Sequence, residues 1–115
     1  MAGSNEGAVQ NRIRLALSRG FCRLFRNNTG ALKDQHGRLV HFGLGKGSSD
    51  LIGWKTVTVT PEMVGKEVAL FCAIEVKDKG RATVLQQHFI ATVKVAGGLA
   101  GVARNVEEAE QILDV

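Results

Sequence analysis

A chain of 115 residues, 44% apolar and 23% charged, has the size and composition of one soluble globular domain spanning residues 1–115. At that length it is expected to bury roughly two-thirds of its unfolded surface. No apolar stretch approaches the roughly 20 residues of a membrane span. The formal charge of +4 and the sequence pI of about 9.4 suit a polyanionic partner, and equally a surface that is simply cationic.

The segment Met1-Ala2-Gly3-Ser4-Asn5-Glu6 lacks the basic and apolar regions of a secretion signal, so a cytoplasmic protein is expected. Cys22 and Cys72 lie far apart, and neither belongs to a C-x-x-C pair. This argues against a zinc or redox motif and for buried, reduced thiols.

Val9, Ile13, Ala16 and Leu17 recur at helical spacing and predict a helix over residues 6–18, with Gly20 as its stop. Residues 21–26 read as a strand. Turn chemistry follows at Asn27-Asn28-Thr29-Gly30 and at Gln35-His36-Gly37, with a short accessory strand over 38–42. Gly43, Gly45 and Gly47 make a flexible loop ahead of Ser48-Ser49-Asp50. A second main strand runs from 51 to 60, ended by Pro61, and a third from 67 to 77. The period then changes. Val84, Leu85, His88, Phe89, Ala91, Thr92 and Val95 describe a helix, with Thr83 near its start and Gly97-Gly98 as its stop. Residues 99–103 suggest a buried strand, and Asn105 an N-cap for a last helix carrying Glu107 and Glu108 in its first turn. The order is αβββαβα, class α/β, with the last two strands joined by a parallel crossover.

Ile74-Glu75-Val76-Lys77 places a carboxylate and an amine two residues apart, hence on one face of a strand. Pairing 51–60 with 67–77 as an antiparallel hairpin would bring Asp50 beside Glu75. Two close carboxylates repel unless a cation or a proton intervenes, and a hard ion such as Mg2+ or Mn2+ suits an oxygen-rich site. Lys77 could then orient or deprotonate an attacking water, or neutralise charge on a phosphate. The plainer alternative is a solvated pair worth under about 1 kcal/mol. The continuous apolar run from Ala69 to Ile74 argues against it, because it predicts a strand covered on both sides.

Ser48-Ser49-Asp50-Leu51-Ile52-Gly53, then Ile74-Glu75-Val76-Lys77, then Gln86 on the next helix, together resemble the PD-(D/E)XK nuclease superfamily. More narrowly, they resemble its VRR-NUC (virus-type replication-repair nuclease) domain, in the stand-alone phage or bacterial form. Glu6, Arg26-Asn27-Asn28-Thr29-Gly30, the glycines from Gly43 to Gly47 and Gly97-Gly98-Leu99-Ala100-Gly101-Val102-Ala103 extend the likeness along the chain. Ser49 stands where the superfamily motif has proline.

The resemblance implies a restriction-endonuclease-like αβββαβ core, a mixed central sheet flanked by helices, with a C-terminal helix added. It implies Asp50, Glu75 and the Val76 carbonyl as ligands of Mg2+ or Mn2+, and Glu6 as a further acid at the metal, through water. Lys77 would contact the nucleophilic water or the scissile phosphate. Gln86, chosen over Gln87 by the family's spacing, would position water or phosphate. The implied activity is a structure-selective DNA endonuclease, a homodimer acting on branched DNA such as a four-way junction, in a bacterial or phage-infected cell.

Other features carry less. Gly43-Leu44-Gly45-Lys46-Gly47-Ser48 lacks the G-x-x-x-x-G-K-[ST] spacing and opens no helix, so nucleotide hydrolysis is not expected. Arg26, Lys46, Ser48, Ser49, Lys79 and Arg81 are candidate DNA contacts. His36, His41 and His88 share no metal-ligand spacing, and Trp54 reads as packing. Two alternatives stand beside the junction nuclease: a catalytically silent nucleic-acid-binding module, and a nuclease acting on flaps or linear duplex.

Overall fold

The computed structural model describes the backbone from Ala2 to Val115 and the side chains from Asn5 onward. It is mixed α/β, with three α-helices and six short strands among the described residues. The chain divides into two compact units, residues 1–55 and 56–115, each built on its own strands. None of the described helices is long and apolar enough to cross a membrane.

The first unit opens with helix α1 (Ala2–Leu17), followed by strand β1 (Cys22–Arg26). Ser18 joins them: its hydroxyl accepts from the Leu24 N–H at 2.8 Å and donates to the Leu24 carbonyl at 3.2 Å. Strands β2 (Gly30–Lys33) and β3 (Leu39–Phe42) form an antiparallel hairpin. Its turn is organised by Asp34, which accepts from the His36 and Arg38 amides at 2.8 and 2.9 Å. Strand β4 (Leu51–Lys55) pairs antiparallel with β1, Arg26 opposite Leu51 and Leu24 opposite Gly53. Phe25 and Trp54 are diagonal neighbours on one face of this ladder, with ring centroids 5.5 Å apart. Gly53 is required here, because a Cβ would land on the Arg23 carbonyl oxygen of β1.

The second unit is a βαβα arrangement. Strand β5 (Cys72–Val76) leads through helix α2 (Val84–Val95) to strand β6 (Leu99–Ala103), and β5 and β6 pair in parallel, Cys72 opposite Leu99 and Val76 opposite Ala103. Helix α3 (Val106–Leu113) follows, capped by the Asn105 side chain, which accepts from the Glu108 N–H at 2.8 Å. The core of this unit is Val93, Ala100 and Ala103, the buried apolar residues among those described, with Val93 fully enclosed. Gly101 allows α3 to lie close on β6: a Cβ there would stand 2.9 Å from Ile112 Cγ1 and Cδ1.

With the β2–β3 hairpin set aside, the element order is the expected αβββαβα, and the parallel crossover is present. Several expectations are corrected. The strand over 51–60 ends at Lys55, and Thr56 turns its hydroxyl to the Ala96 carbonyl at 2.9 Å. The strand over 67–77 is confined to residues 72–76. Those two segments do not pair, since β4 takes β1 and β5 takes β6. A mixed central sheet is therefore not formed among the described residues, whose strands make three two-stranded sheets. The physical reason lies in the partners. β6 offers β5 a small-residue, apolar strand that can be covered by helices, as parallel pairing requires. β1 offers β4 the aromatic match to Trp54. The apolar run is also less covered than expected, with Leu70 and Cys72 exposed, and Cys22 is half-buried.

Candidate functional site

The carboxyl end of β5 holds the clearest constellation of polar groups. Glu75 sits opposite Val102 in the ladder, and the Lys77 N–H continues the pairing by donating to the Ala103 carbonyl at 3.1 Å. Strand alternation puts both side chains on one face, with Val76 turned away and exposed. The Lys77 ammonium lies 4.0 Å from Glu75 Oε1, with 22% of the lysine and 28% of the glutamate side chain exposed. This is a half-buried ion pair at the rim of a cleft of about 290 Å³, lined by Ala73, Ile74 and Glu75 from β5 and by Leu85, Gln86, Phe89 and Ile90 from α2.

Gln86 has a structural task as well. Thr83 is the N-cap of α2, and its hydroxyl accepts from the Gln86 N–H at 3.1 Å while Gln86 Oε1 accepts from the Thr83 N–H at 2.9 Å. This reciprocal capping box satisfies two donors that the helix start would leave open. Oε1 is thereby committed, and the Nε2 amide takes no part in the box. Gln87 instead donates to the Ala82 carbonyl at 2.8 Å, is exposed, and is not among the cleft residues. Of the two glutamines, Gln86 is the one beside Glu75.

Asp50 lies in the first unit, immediately before β4, and is exposed. Its carbonyl accepts from the Asn27 N–H at 2.8 Å, which extends the β1–β4 ladder by one bond. The loop leading to it is held by the Asn27 side chain, which reaches Leu44, Ser48 and Ser49. Ser48 also donates to the Gly45 carbonyl at 2.6 Å, so its hydroxyl serves the loop itself. Lys46 and Ser49 are exposed in this loop, Arg26 is exposed at the end of β1, and Glu6 is exposed on α1. In the second unit, Lys79 and Arg81 are exposed on either side of Gly80. The Gly80 carbonyl accepts from Arg104 Nη2 at 2.8 Å, while the Arg104 N–H donates to Glu108 Oε1 at 2.7 Å. His88 is exposed on α2.

Of the expected site residues, Glu75, Val76, Lys77 and Gln86 are therefore brought together in the second unit, and Glu6 and Asp50 belong to the first. The hairpin that was to carry Asp50 to Glu75 is replaced by the two other pairings. The second unit's site supplies a single carboxylate, already facing an ammonium. No group of three His, Cys, Asp or Glu residues among those described is arranged to hold a metal ion.

Arg104 was not singled out in the sequence, and Asn27 entered only as turn chemistry and as part of the family likeness, not as a residue that holds the loop. The available signal for Asn27 was an amide side chain at a strand end facing a glycine-rich loop, which is equally the signal of an ordinary turn. Comparison with known protein families, with curated proteins and with solved structures finds no match for this chain.

Proposed function

We propose that this chain is a nuclease that hydrolyses DNA phosphodiester bonds, with Mg2+ or Mn2+ as the cofactor the resemblance implies. The observation that carries the reading is the Glu75–Lys77 pair, half-buried at 4.0 Å on the rim of a cleft beside Gln86. A carboxylate can take a proton from water, and an ammonium can neutralise charge on a phosphate oxygen. Both residues are held by a parallel ladder, so their backbone positions and shared face are fixed by backbone hydrogen bonds. Exposed Lys79 and Arg81 lie in the connection after this strand, beyond Asp78, and add positive charge for a DNA backbone. The resemblance adds Asp50 as a second carboxylate, branched DNA as substrate and a homodimer as the working form.

A second reading, a DNA-binding module without turnover, is favoured by the lone carboxylate of the second unit's site. Cleavage of a labelled four-way junction, a flap and linear duplex, with Mg2+, Mn2+ or EDTA, decides between them. The nuclease reading expects metal-dependent cutting that falls by about 100-fold or more in Lys77→Ala. Asp50→Asn tests the second carboxylate in the same assay. Cutting of all three substrates would keep the chemistry and discard the junction preference. Intact DNA with both metals, together with metal-independent binding, would establish the silent module. Sedimentation with and without junction DNA tests the dimer.

A further inference from the structure

We propose that Asn27 is the positioning residue of the segment from Gly43 to Asp50, a role that rests on the reading of that segment as part of the DNA-cleaving machinery. A single carboxamide holds both ends of the segment. Its Oδ1 accepts from the Leu44 N–H at 3.1 Å, and its Nδ2 donates to Ser48 Oγ at 2.8 Å and to the Ser49 carbonyl at 2.9 Å. The backbone N–H of the same residue donates to the Asp50 carbonyl at 2.8 Å. Four bonds from one residue thus reach positions 44, 48, 49 and 50.

Beyond the close approach of Gly43 to Asn28 and Thr29, the segment has little else to order it. It is exposed throughout, and Gly43, Gly45 and Gly47 all adopt positive φ. Glycine has the largest conformational freedom to lose on ordering, so an unheld loop with three of them would sample many conformations. The remaining internal ties both run from Ser48 to the Gly45 carbonyl, through its N–H at 3.1 Å and its hydroxyl at 2.6 Å. They close a turn inside the loop without attaching it to the strands. Asn27, one residue past the last β1–β4 pair, makes that attachment. Only a side chain that both accepts and donates at short reach can hold the two ends at once, and among such residues asparagine has the matching length.

The test uses the full-length chain and three variants, read by amide hydrogen exchange and by cleavage rate at saturating DNA. Asn27→Ala loses every side-chain bond. Asn27→Asp keeps an acceptor for Leu44 and loses the donor to Ser48 and Ser49. Ser48→Ala removes one acceptor only. In Asn27→Ala the Leu44 amide is expected to exchange roughly tenfold faster, the size of effect a lost hydrogen bond gives. Protection of Leu24 and Trp54 in the β1–β4 ladder should be unchanged. Asn27→Asp should keep Leu44 protected, and Ser48→Ala should be the mildest of the three.

The cleavage rate should fall in the order of loop loosening, while KM for DNA moves less than the rate. Unchanged Leu44 exchange in Asn27→Ala overturns the proposal. So does a loosened loop that cuts at the wild-type rate. If the wild type cuts no DNA at all, the nuclease reading fails on its own. The role of Asn27 in holding the loop is then decided by exchange alone, supported by loosening and overturned by its absence.

Discussion

Gln86 serves the start of α2 and also lines the cleft beside Glu75, and two substitutions at this position separate those tasks. Gln86→Glu preserves the box, since a glutamate at this position makes the same reciprocal bond to the N-cap amide. It also places an acid in a first turn that has none, which favours the helix by about 0.3–1 kcal/mol. Gln86→Ala removes the acceptor for the Thr83 N–H, which lies at 2.9 Å, for a loss of about 0.5–1 kcal/mol. Part of that loss is offset by alanine's helix propensity. Thr83→Ala removes the N-cap hydroxyl and should cost about 1 kcal/mol.

The expected stability order is Gln86→Glu at or above wild type, then Gln86→Ala, then Thr83→Ala. Urea denaturation followed by circular dichroism measures it, with amide exchange over residues 84–88 locating the effect. The cleavage order should differ. Gln86→Glu sets a second carboxylate beside Glu75 in a cleft of about 290 Å³, where like charge opposes ionisation of both. A drop of roughly tenfold or more in cutting is expected, with stability retained. A Gln86→Glu protein that is stable and cuts at the wild-type rate refutes the cleft role. A Thr83→Ala protein with unchanged stability refutes the cap.

Gly53→Ala should cost about 3 kcal/mol or more, because the new Cβ meets the Arg23 carbonyl and only parting β1 from β4 relieves it. Trp54 fluorescence during urea denaturation would show this, and an unchanged midpoint would contradict it. Glu62 is held below the ordinary carboxylate range by its own backbone N–H and then by the Thr60 hydroxyl, with burial opposing slightly. A lowered folded-state pKa contributes stability that is present above the unfolded value and lost as pH falls through the folded one. Carbon-detected NMR titration should place its midpoint below that of an unstructured glutamate, and Thr60→Val should move it back up. Leu85→Glu adds an acid to the first turn of α2 at a cleft residue that is 81% exposed, so stability should rise slightly while DNA affinity falls. Denaturation and a binding titration at fixed salt would read the two signs, and unchanged affinity would remove that end of α2 from the DNA-facing surface.

What was legible in the sequence was local. Thr83 and Asn105 announce helix starts because their short side chains accept from amides three residues on, a bond that needs no tertiary partner. Gly97, at φ 103°, ends α2 for a similarly local reason. Strand pairing was not legible. Val57 and Val59 alternate with threonine as a strand would, yet residues 56–60 join no ladder, because alternation specifies a pleated surface and not a partner. The choice of β1 for β4 depends on Gly53 admitting the Arg23 carbonyl and on Phe25 meeting Trp54, which only the register reveals. The site divides the same way. Glu75 and Lys77 came together because two residues apart on a strand is a local fact, whereas the approach of Asp50 rested on a hairpin that the chain does not form.

The second unit's polarity also bears on where a phosphate would sit. Parallel pairing of β5 and β6 puts both strand carboxyl ends, and therefore the starts of α2 and α3, at one edge of this small sheet. Helix starts are partially positive, but the two are not equivalent. At α3, Glu107 and Glu108 occupy the first turn, and Glu108 already accepts from the Arg104 N–H. At α2 the first turn contains no acid, and the capping box neutralises amides with uncharged oxygens alone. The α2 start therefore keeps the partial positive charge of its first turn, while the connection leading into it carries Lys77, Lys79 and Arg81 against the single acid Asp78. On the proposed nuclease reading, a phosphate is expected on the α2 side, where Lys77, Lys79 and Arg81 outnumber Asp78, and not at the start of α3. Glu75, the carboxylate to which the proposal gives the chemistry, lines the cleft on that same α2 side, so the proposal places the positive charge and the carboxylate at one end of the sheet.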